Sequence, residues 1–306
     1  MMPARVAVFL GLIVAAVPAA AVDNAMRHGE YLFRAAGCVT CHTDEKHQGA
    51  PLAGGRALTT RFGTFYTPNI TPDPETGIGR WSEADFVRAL REGKSPAGEP
   101  YYPAFPYTSY TRLTDADIRA IKTYLFSQKP VRRVNQPHKL PWYLRSRQTL
   151  NIWKTLFFKS GVFQPQPEQS PKWNRGAYLV TAVAHCGECH TPRHLLGGYK
   201  ESLRFAGAAA GVDGDAVPNI TPDKKTGIGQ WRQSDLVDYL ETGATPDGDY
   251  AGGAMAEVID NNLTQLTKDD RQAIAVYIMS LPPVTAVAHK NDRDKKGLKK
   301  SRNQAN

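Results

Sequence analysis

Apolar residues recur at helical spacing in several stretches of the chain, each opened by a polar cap. Ser82-x-x-Asp85 is a capping box ahead of Phe86, Val87 and Leu90, which fall on one face of a helix. Thr114-x-x-Asp117 opens a second helix, with Ile118, Ile121 and Leu125 along one stripe. Thr267-x-x-Asp270 opens a third, ahead of Ile274, Tyr277 and Ile278. Leu150 to Phe158 has the makings of one more short helix. No run alternates convincingly with period two, so the expected class is all-α, with Gly- and Pro-rich loops between helices.

Much of this pattern is written twice. LTDADIRAIKTYL (Leu113 to Leu125) returns as LTKDDRQAIAVYI (Leu266 to Ile278), and NITPDPETGIGRW (Asn69 to Trp81) returns as NITPDKKTGIGQW (Asn219 to Trp231), the latter 150 residues on. Gly29-x-Tyr31-Leu32 likewise recurs as Gly176-x-Tyr178-Leu179. The repeat predicts two like domains, residues 22–131 and 173–285, joined by a linker over residues 132–172. The linker is basic and aromatic (Arg145, Arg147, Trp153, Lys154, Phe157, Phe158), which admits a membrane-surface reading. The preferred expectation is that its apolar residues pack across both domains and fix their orientation.

The chain has 306 residues and a formal net charge of +9. Residues 1–21 read as a secretory leader, with Arg5, an apolar run from Val6 to Val17 and Ala19-Ala20-Ala21 as the cleavage site. Part of the positive charge lies in residues 286–306, read as a disordered basic tail. Nucleic-acid binding fits poorly with an exported protein.

The candidate chemistry lies in Cys38-Val39-Thr40-Cys41-His42 and its twin Cys186-Gly187-Glu188-Cys189-His190. C-x-x-C-H is the attachment signature of c-type haem: two thioethers hold the porphyrin and the adjacent histidine binds the iron. A zinc site would pool both cysteine pairs, and a redox dithiol would accompany a βαβ pattern, which is not visible. The two motifs use all four cysteines, so two covalently bound haem c groups are expected, with His42 and His190 as iron ligands.

A second axial ligand is commonly methionine. Met255, in the Gly252-Gly253-Ala254-Met255 loop, is the candidate in the second domain. The repeat puts Phe105 at the matching place in the first, and no methionine occurs between Met26 and Met255. The first iron is then either open, or bound by His47, His138 or one of Tyr101, Tyr102, Tyr107 and Tyr110, unless the repeat slips locally. Pro51 is a candidate to offer its carbonyl to a proximal imidazole. Trp81 and Trp231 are candidates to donate to a haem propionate, and His185 reads as a loop residue. The Asn69-Ile-Thr71 and Asn219-Ile-Thr221 sequons are better explained by turn chemistry than by glycosylation.

With these motifs, the Tyr102-Pro103-Ala104-Phe105-Pro106-Tyr107 loop and the Trp173-Asn174-Arg175-Gly176-Ala177-Tyr178 stretch, the chain resembles the bacterial multihaem cytochrome c subunits of exported or membrane-bound dehydrogenases. Those dehydrogenases act on alcohols, on gluconate or sorbitol, or are molybdenum hydroxylases. The resemblance implies two class I-like cytochrome c domains in tandem, attachment at Cys38, Cys41, Cys186 and Cys189, and iron ligation by His42, His190 and Met255. It departs from many relatives in having two haem domains rather than three and Phe105 in place of methionine. The expected function is an exported, periplasmic relay of single electrons from a dehydrogenase catalytic subunit to a downstream cytochrome, oxidase or quinone, with peripheral contact at the inner membrane as an option. The alternative is a peroxidase-like dihaem enzyme, with an open first haem fed by the second.

Overall fold

The computed structural model describes residues 19–285, with side chains from Asp23 onward. The expected leader and basic tail lie outside the described residues, apart from residues 19–21, which open the first helix. The elements follow in the order α1 (Ala19–Ala35), α2 (Cys38–His42), β1 (Ala57–Thr60), β2 (Gly63–Tyr66), α3 (Glu83–Glu92), α4 (Tyr107–Tyr110) and α5 (Asp115–Phe126). They continue with α6 (Thr149–Phe157), α7 (Pro171–Tyr178), α8 (Gly187–His190), α9 (Gln233–Thr242), α10 (Gly253–Asn261) and α11 (Lys268–Met279).

The chain is mostly helical, but the expectation of no strands needs correcting. β1 and β2 form an antiparallel hairpin with Ala57 opposite Tyr66 and Thr60 opposite Gly63. Thr64 of β2 also exchanges two backbone hydrogen bonds with Lys139, both 2.9 Å. Strands of four residues, partly exposed on both faces, leave too short an alternation to stand out in the sequence.

The caps form as the residues dictate. Ser82 and Asp85 make the reciprocal box at the start of α3. Thr114 and Thr267 accept from the amides of Asp117 and Asp270 at the starts of α5 and α11. Helix α1 packs on α5 and α7 on α11, and glycine makes both contacts close. A Cβ at Gly29 would lie 2.0 Å from the Ala120 carbonyl oxygen, and one at Gly176 would lie 1.9 Å from that of Ala273. A single apolar core runs through both halves, from Leu32, Phe33 and Ile118 to Val180, Val183 and Ile274. Continuous burial on this scale is the main force holding the halves together.

The carboxylates of Asp117 and Asp270 do not turn back to their own helix starts. The Tyr31 hydroxyl donates to Asp270 Oδ2 at 2.6 Å and accepts from the Thr267 amide at 3.2 Å. In mirror fashion, the Tyr178 hydroxyl donates to Asp117 Oδ2 and accepts from the Thr114 amide at 3.1 Å. Each half thus places a tyrosine on the last-helix cap of the other. Arg175 adds a two-pronged contact to Asp270 at 2.8 and 2.6 Å, and His28 lies 2.7 Å from Asp117. Burial pushes the Asp270 carboxyl up, but the hydrogen bonds from Arg175 and Tyr31 outweigh it and hold its pKa below the ordinary value.

Helix α6 also touches both halves. Leu150 is buried with Phe65, Tyr102 and Leu140, and Lys154 donates to the Glu92 and Gly93 carbonyls. On the other side Trp153 donates to the Leu196 carbonyl at 2.8 Å, and the Phe157 ring lies 4.7 Å from that of His194.

Candidate haem-binding site

In each C-x-x-C-H stretch one helical turn brings two cysteines to the same side, with the histidine directly after. Cys38, Cys41 and His42 lie on α2; Cys189 and His190 lie on α8, with Cys186 as its N-terminal flank. All four thiols are free, and among the described residues no three His, Cys, Asp or Glu side chains converge on a metal position. Burial pushes the Cys38 and Cys186 thiols up to about 12. Cys189 is exposed to solvent, yet burial still pushes its thiol up to about 11, with smaller contributions from Glu188 and from Cys41.

The histidines decide how the motifs work. His42 Nδ1 lies 2.8 Å from the Pro68 carbonyl oxygen, and His190 Nδ1 lies 2.8 Å from that of Pro218. A carbonyl only accepts, so Nδ1 carries the proton and the Nε2 lone pair is left for a metal. Burial lowers both imidazole pKa values, keeping the rings neutral. The expected carbonyl, Pro51, is therefore corrected to Pro68. Pro51 lies at an exposed turn, and its loop acts instead through Gly54, whose amide donates to the His42 carbonyl at 2.7 Å. Gly54 has φ +73°, and a Cβ there would lie 2.4 Å from the Pro68 carbonyl carbon. Gly207, with φ +83°, repeats both features against His190 and Pro218.

Backbone strain marks the same two places. Leu52 and Phe205 are both buried and both have φ 63°, a conformation costing a non-glycine residue about 1–2 kcal/mol. Each is pinned identically: its amide donates to Thr43 or Thr191 Oγ1 at 3.2 Å, and its carbonyl accepts from Ile70 or Ile220. Asn69 and Asn219 are buried in the turns that follow. Their side chains bind Thr71 and Thr221 and donate to the Val131 and Val284 carbonyls at 2.7 Å, which is turn chemistry. The available signal for Pro68 and Pro218 was their place directly before the repeated NITPD stretch.

The two motifs sit close to the boundary between the halves. Thr40 donates to Asn262 Oδ1 at 2.9 Å, and Arg56 pairs with Glu257 at 2.7 Å. Conversely, the nearly buried Glu188 accepts from Thr108 and Ser109 and pairs with Arg193 at 2.6 Å. Burial pushes the Glu188 carboxyl up, but Arg193 and the hydroxyl donors pull it below its ordinary value. His185 is a loop residue, as expected, but it reaches across the boundary: its Nε2 is 3.2 Å from the Ala36 carbonyl and its ring is edge-on to Tyr110.

On the ligand side, the repeat holds through Tyr101 and Ala251, whose amides donate to the Gly93 and Gly243 carbonyls, both at 2.8 Å. Four residues on from these come Phe105 and Met255. Met255 is half-buried in the first turn of α10 against the core, while Phe105 packs among Tyr101, Tyr107 and Tyr110. The other candidates differ in how committed they are. His47 is exposed and bonded to Asp44, and the Tyr102 and Tyr110 hydroxyls donate to the Leu144 and Ala36 carbonyls. His138 accepts from the Tyr66 amide through Nδ1 and stacks edge-on to Phe65 and Tyr102. Burial pushes the Tyr101 phenol up to about 12, and Tyr107 is buried with its hydroxyl unpartnered among the described residues. Trp81 and Trp231 are half-buried at the core edge.

The cytochrome c family model matches residues 26–129. A protein named "Diheme cytochrome c-type" from Cereibacter sphaeroides is 42% identical over 259 residues, covering 84% of this chain and 86% of its own. The chain belongs to the cytochrome c family. Membership brings covalently bound haem c, and the residues here fit that group: free cysteine pairs, and neutral histidines held by a carbonyl at Nδ1. The cytochrome is also 39% identical to the gluconate 2-dehydrogenase cytochrome c subunit of Pantoea cypripedii over 85% of its length. It is 41% identical to the fructose dehydrogenase cytochrome subunit of Gluconobacter japonicus over 87% of its length. These two relatives are longer, and the cytochrome spans only 60% and 54% of them.

Proposed function

We propose that this cytochrome is an exported dihaem electron relay, built from tandem domains at residues 22–131 and 173–285 joined by a linker over 132–172. In this reading it accepts single electrons from a dehydrogenase catalytic subunit and delivers them to a downstream cytochrome, oxidase or quinone. The names of its relatives support a dehydrogenase partner. The observation that carries the relay reading is the doubled histidine–proline contact, which equips two places in one chain to hold iron in the same way.

When bound, the haems supply reversible one-electron chemistry. The protein's residues do the rest. Cys38, Cys41, Cys186 and Cys189 anchor, His42 and His190 offer Nε2, and Met255 offers its thioether. Pro68 and Pro218 fix ring orientation, and the contacts across the boundary hold the two motifs near each other. Trp81 and Trp231, half-buried at the core edge, are candidates to donate to propionates or simply part of the core. Phe105 would leave the first iron without a methionine from its own loop, so the two potentials would differ, the first being lower if that iron binds His, Tyr or water. The peroxidase-like alternative gains nothing from the relatives, and the residues around Phe105 are aromatic rather than an acid–base set.

Haem content and a redox titration of the purified protein test this reading. Two haems per chain with separated potentials are expected, and Met255→Leu should lower only the upper one. One haem, or an upper potential indifferent to Met255→Leu, refutes the assignment. Prompt carbon monoxide binding to one reduced haem, with peroxide turnover, would favour the enzyme.

A further inference from the structure

The inward face of α6 is accounted for: Leu150, Trp153, Lys154 and Phe157 all make contacts. The opposite face carries Ile152 and Leu156, four residues apart and therefore neighbours on the helix surface, 66% and 63% exposed. Beside them, in the turn that Trp153 grips, Leu195 and Leu196 are 85% and 64% exposed. Before the helix, Trp142 and Tyr143 stand out from the surface, packed edge to edge on each other. Large side chains gathered this way mark a surface that meets something.

The segment itself carries charge of one sign, although Glu99 pairs with its Arg147 and Glu201 follows Lys200. From Lys139 to Lys159 the sequence has five basic residues, Lys139, Arg145, Arg147, Lys154 and Lys159, and no acidic one. Lys139, Arg145 and Lys159 are exposed and form no ion pair among the described residues, and the same holds for Lys200 near the leucine turn. No helix of the described residues is long and apolar enough to cross a membrane.

We propose that α6, with Trp142, Tyr143, Leu195 and Leu196, is an interfacial patch that rests on an anionic lipid surface. Aliphatic residues on one helix face, an exposed indole and phenol beside them, and a fringe of unpaired Lys and Arg are what such a surface selects. Protein interfaces, by contrast, are depleted in lysine. The patch deepens the exported location proposed above by naming the element that meets the bilayer; its own test reads no electron transfer, so the two stand or fall separately.

The test is flotation of the haem-loaded full chain with vesicles of phosphatidylcholine alone and of phosphatidylcholine with phosphatidylglycerol. Binding is expected to the mixed vesicles, weakening as salt rises. Ile152→Ser with Leu156→Ser should lower it about tenfold or more, and Arg145→Gln or Lys159→Gln about fivefold each. These side chains are exposed, and an unchanged haem spectrum certifies the fold. A chain ending at residue 285 should still bind. Three results overturn the proposal: no binding to mixed vesicles, binding indifferent to the Ile152 and Leu156 changes, or binding lost with residues 286–306 alone. Loss of dehydrogenase association without any vesicle binding would overturn it in favour of a protein dock.

Discussion

Tyr178→Phe removes one oxygen and tests whether the crossed tyrosines hold the halves in place. The Tyr178 hydroxyl is buried, donates to a carboxylate, Asp117, and accepts from the Thr114 amide at 3.1 Å. A hydrogen bond to a charged group is worth about 1.5–3 kcal/mol, and the amide left behind adds to the loss. The expected cost is therefore about 3 kcal/mol. Tyr31→Phe removes the equivalent hydroxyl, but that site is only half-buried and Asp270 keeps both contacts from Arg175. Its cost should be about 1–2 kcal/mol, because water replaces part of what is lost. Denaturant unfolding of the haem-loaded protein, followed by far-UV circular dichroism, measures both, and because Arg175 of one clamp also feels the Asp117 carboxylate of the other, the double variant should depart from additivity. A Tyr178→Phe cost under about 0.5 kcal/mol would show that the core alone sets the arrangement, and equal costs would refute the part assigned to burial.

Three further outcomes follow from the site. Gly54→Ala should drive a methyl into the Pro68 carbonyl from a left-handed backbone, costing about 2 kcal/mol or more and shifting the potential of the first haem alone; Gly207→Ala should do the same to the second, and a redox titration that moves both together in either variant would refute the pairing. Glu188→Ala leaves the half-buried Arg193 without its charge partner and should cost about 2 kcal/mol, read by thermal unfolding, with Glu188→Gln recovering part through Thr108 and Ser109. Acid should unfold the protein partly through Asp223, whose carboxyl is held at about 2 by the Thr226 amide and hydroxyl and by Thr285. Because the folded pKa is depressed, that contribution is present above about pH 4 and fades as pH falls toward 2. Asp223→Asn should therefore flatten the acid limb of a stability-versus-pH curve, and an unchanged limb would rule the group out.

Local chemistry was readable in the chain and distant chemistry was not. The caps at Ser82, Thr114 and Thr267 sit where their spacing places them, and α6 begins at Thr149, one residue before its expected start. Each of these depends on neighbours within a few positions. The Pro68 carbonyl lies 26 residues from His42 and reaches it only after the loop has folded, so Pro51, nearer in sequence, looked the better donor of a carbonyl. Asp117 and Asp270 read as ordinary capping residues because nothing near them announces a tyrosine from the far half. Phe105 was legible as a departure because the repeat supplied the comparison within one sequence.

The crossed contacts have the form a two-fold axis produces: Tyr31 meets Asp270 as Tyr178 meets Asp117. A pair of identical single-haem subunits would make this contact twice over, with every residue on one side duplicated on the other. Joining both halves in one chain removes that obligation. In the repeat Gly37 corresponds to His185, His28 to Arg175 and Phe105 to Met255. A homodimer that lost its methionine would lose it in both subunits, whereas this single chain has Phe105 in one half and keeps Met255 in the other. If the chain is the relay proposed above, covalent linkage would let a symmetric scaffold carry an electrical gradient, since direction along a relay requires the two ends to be unlike.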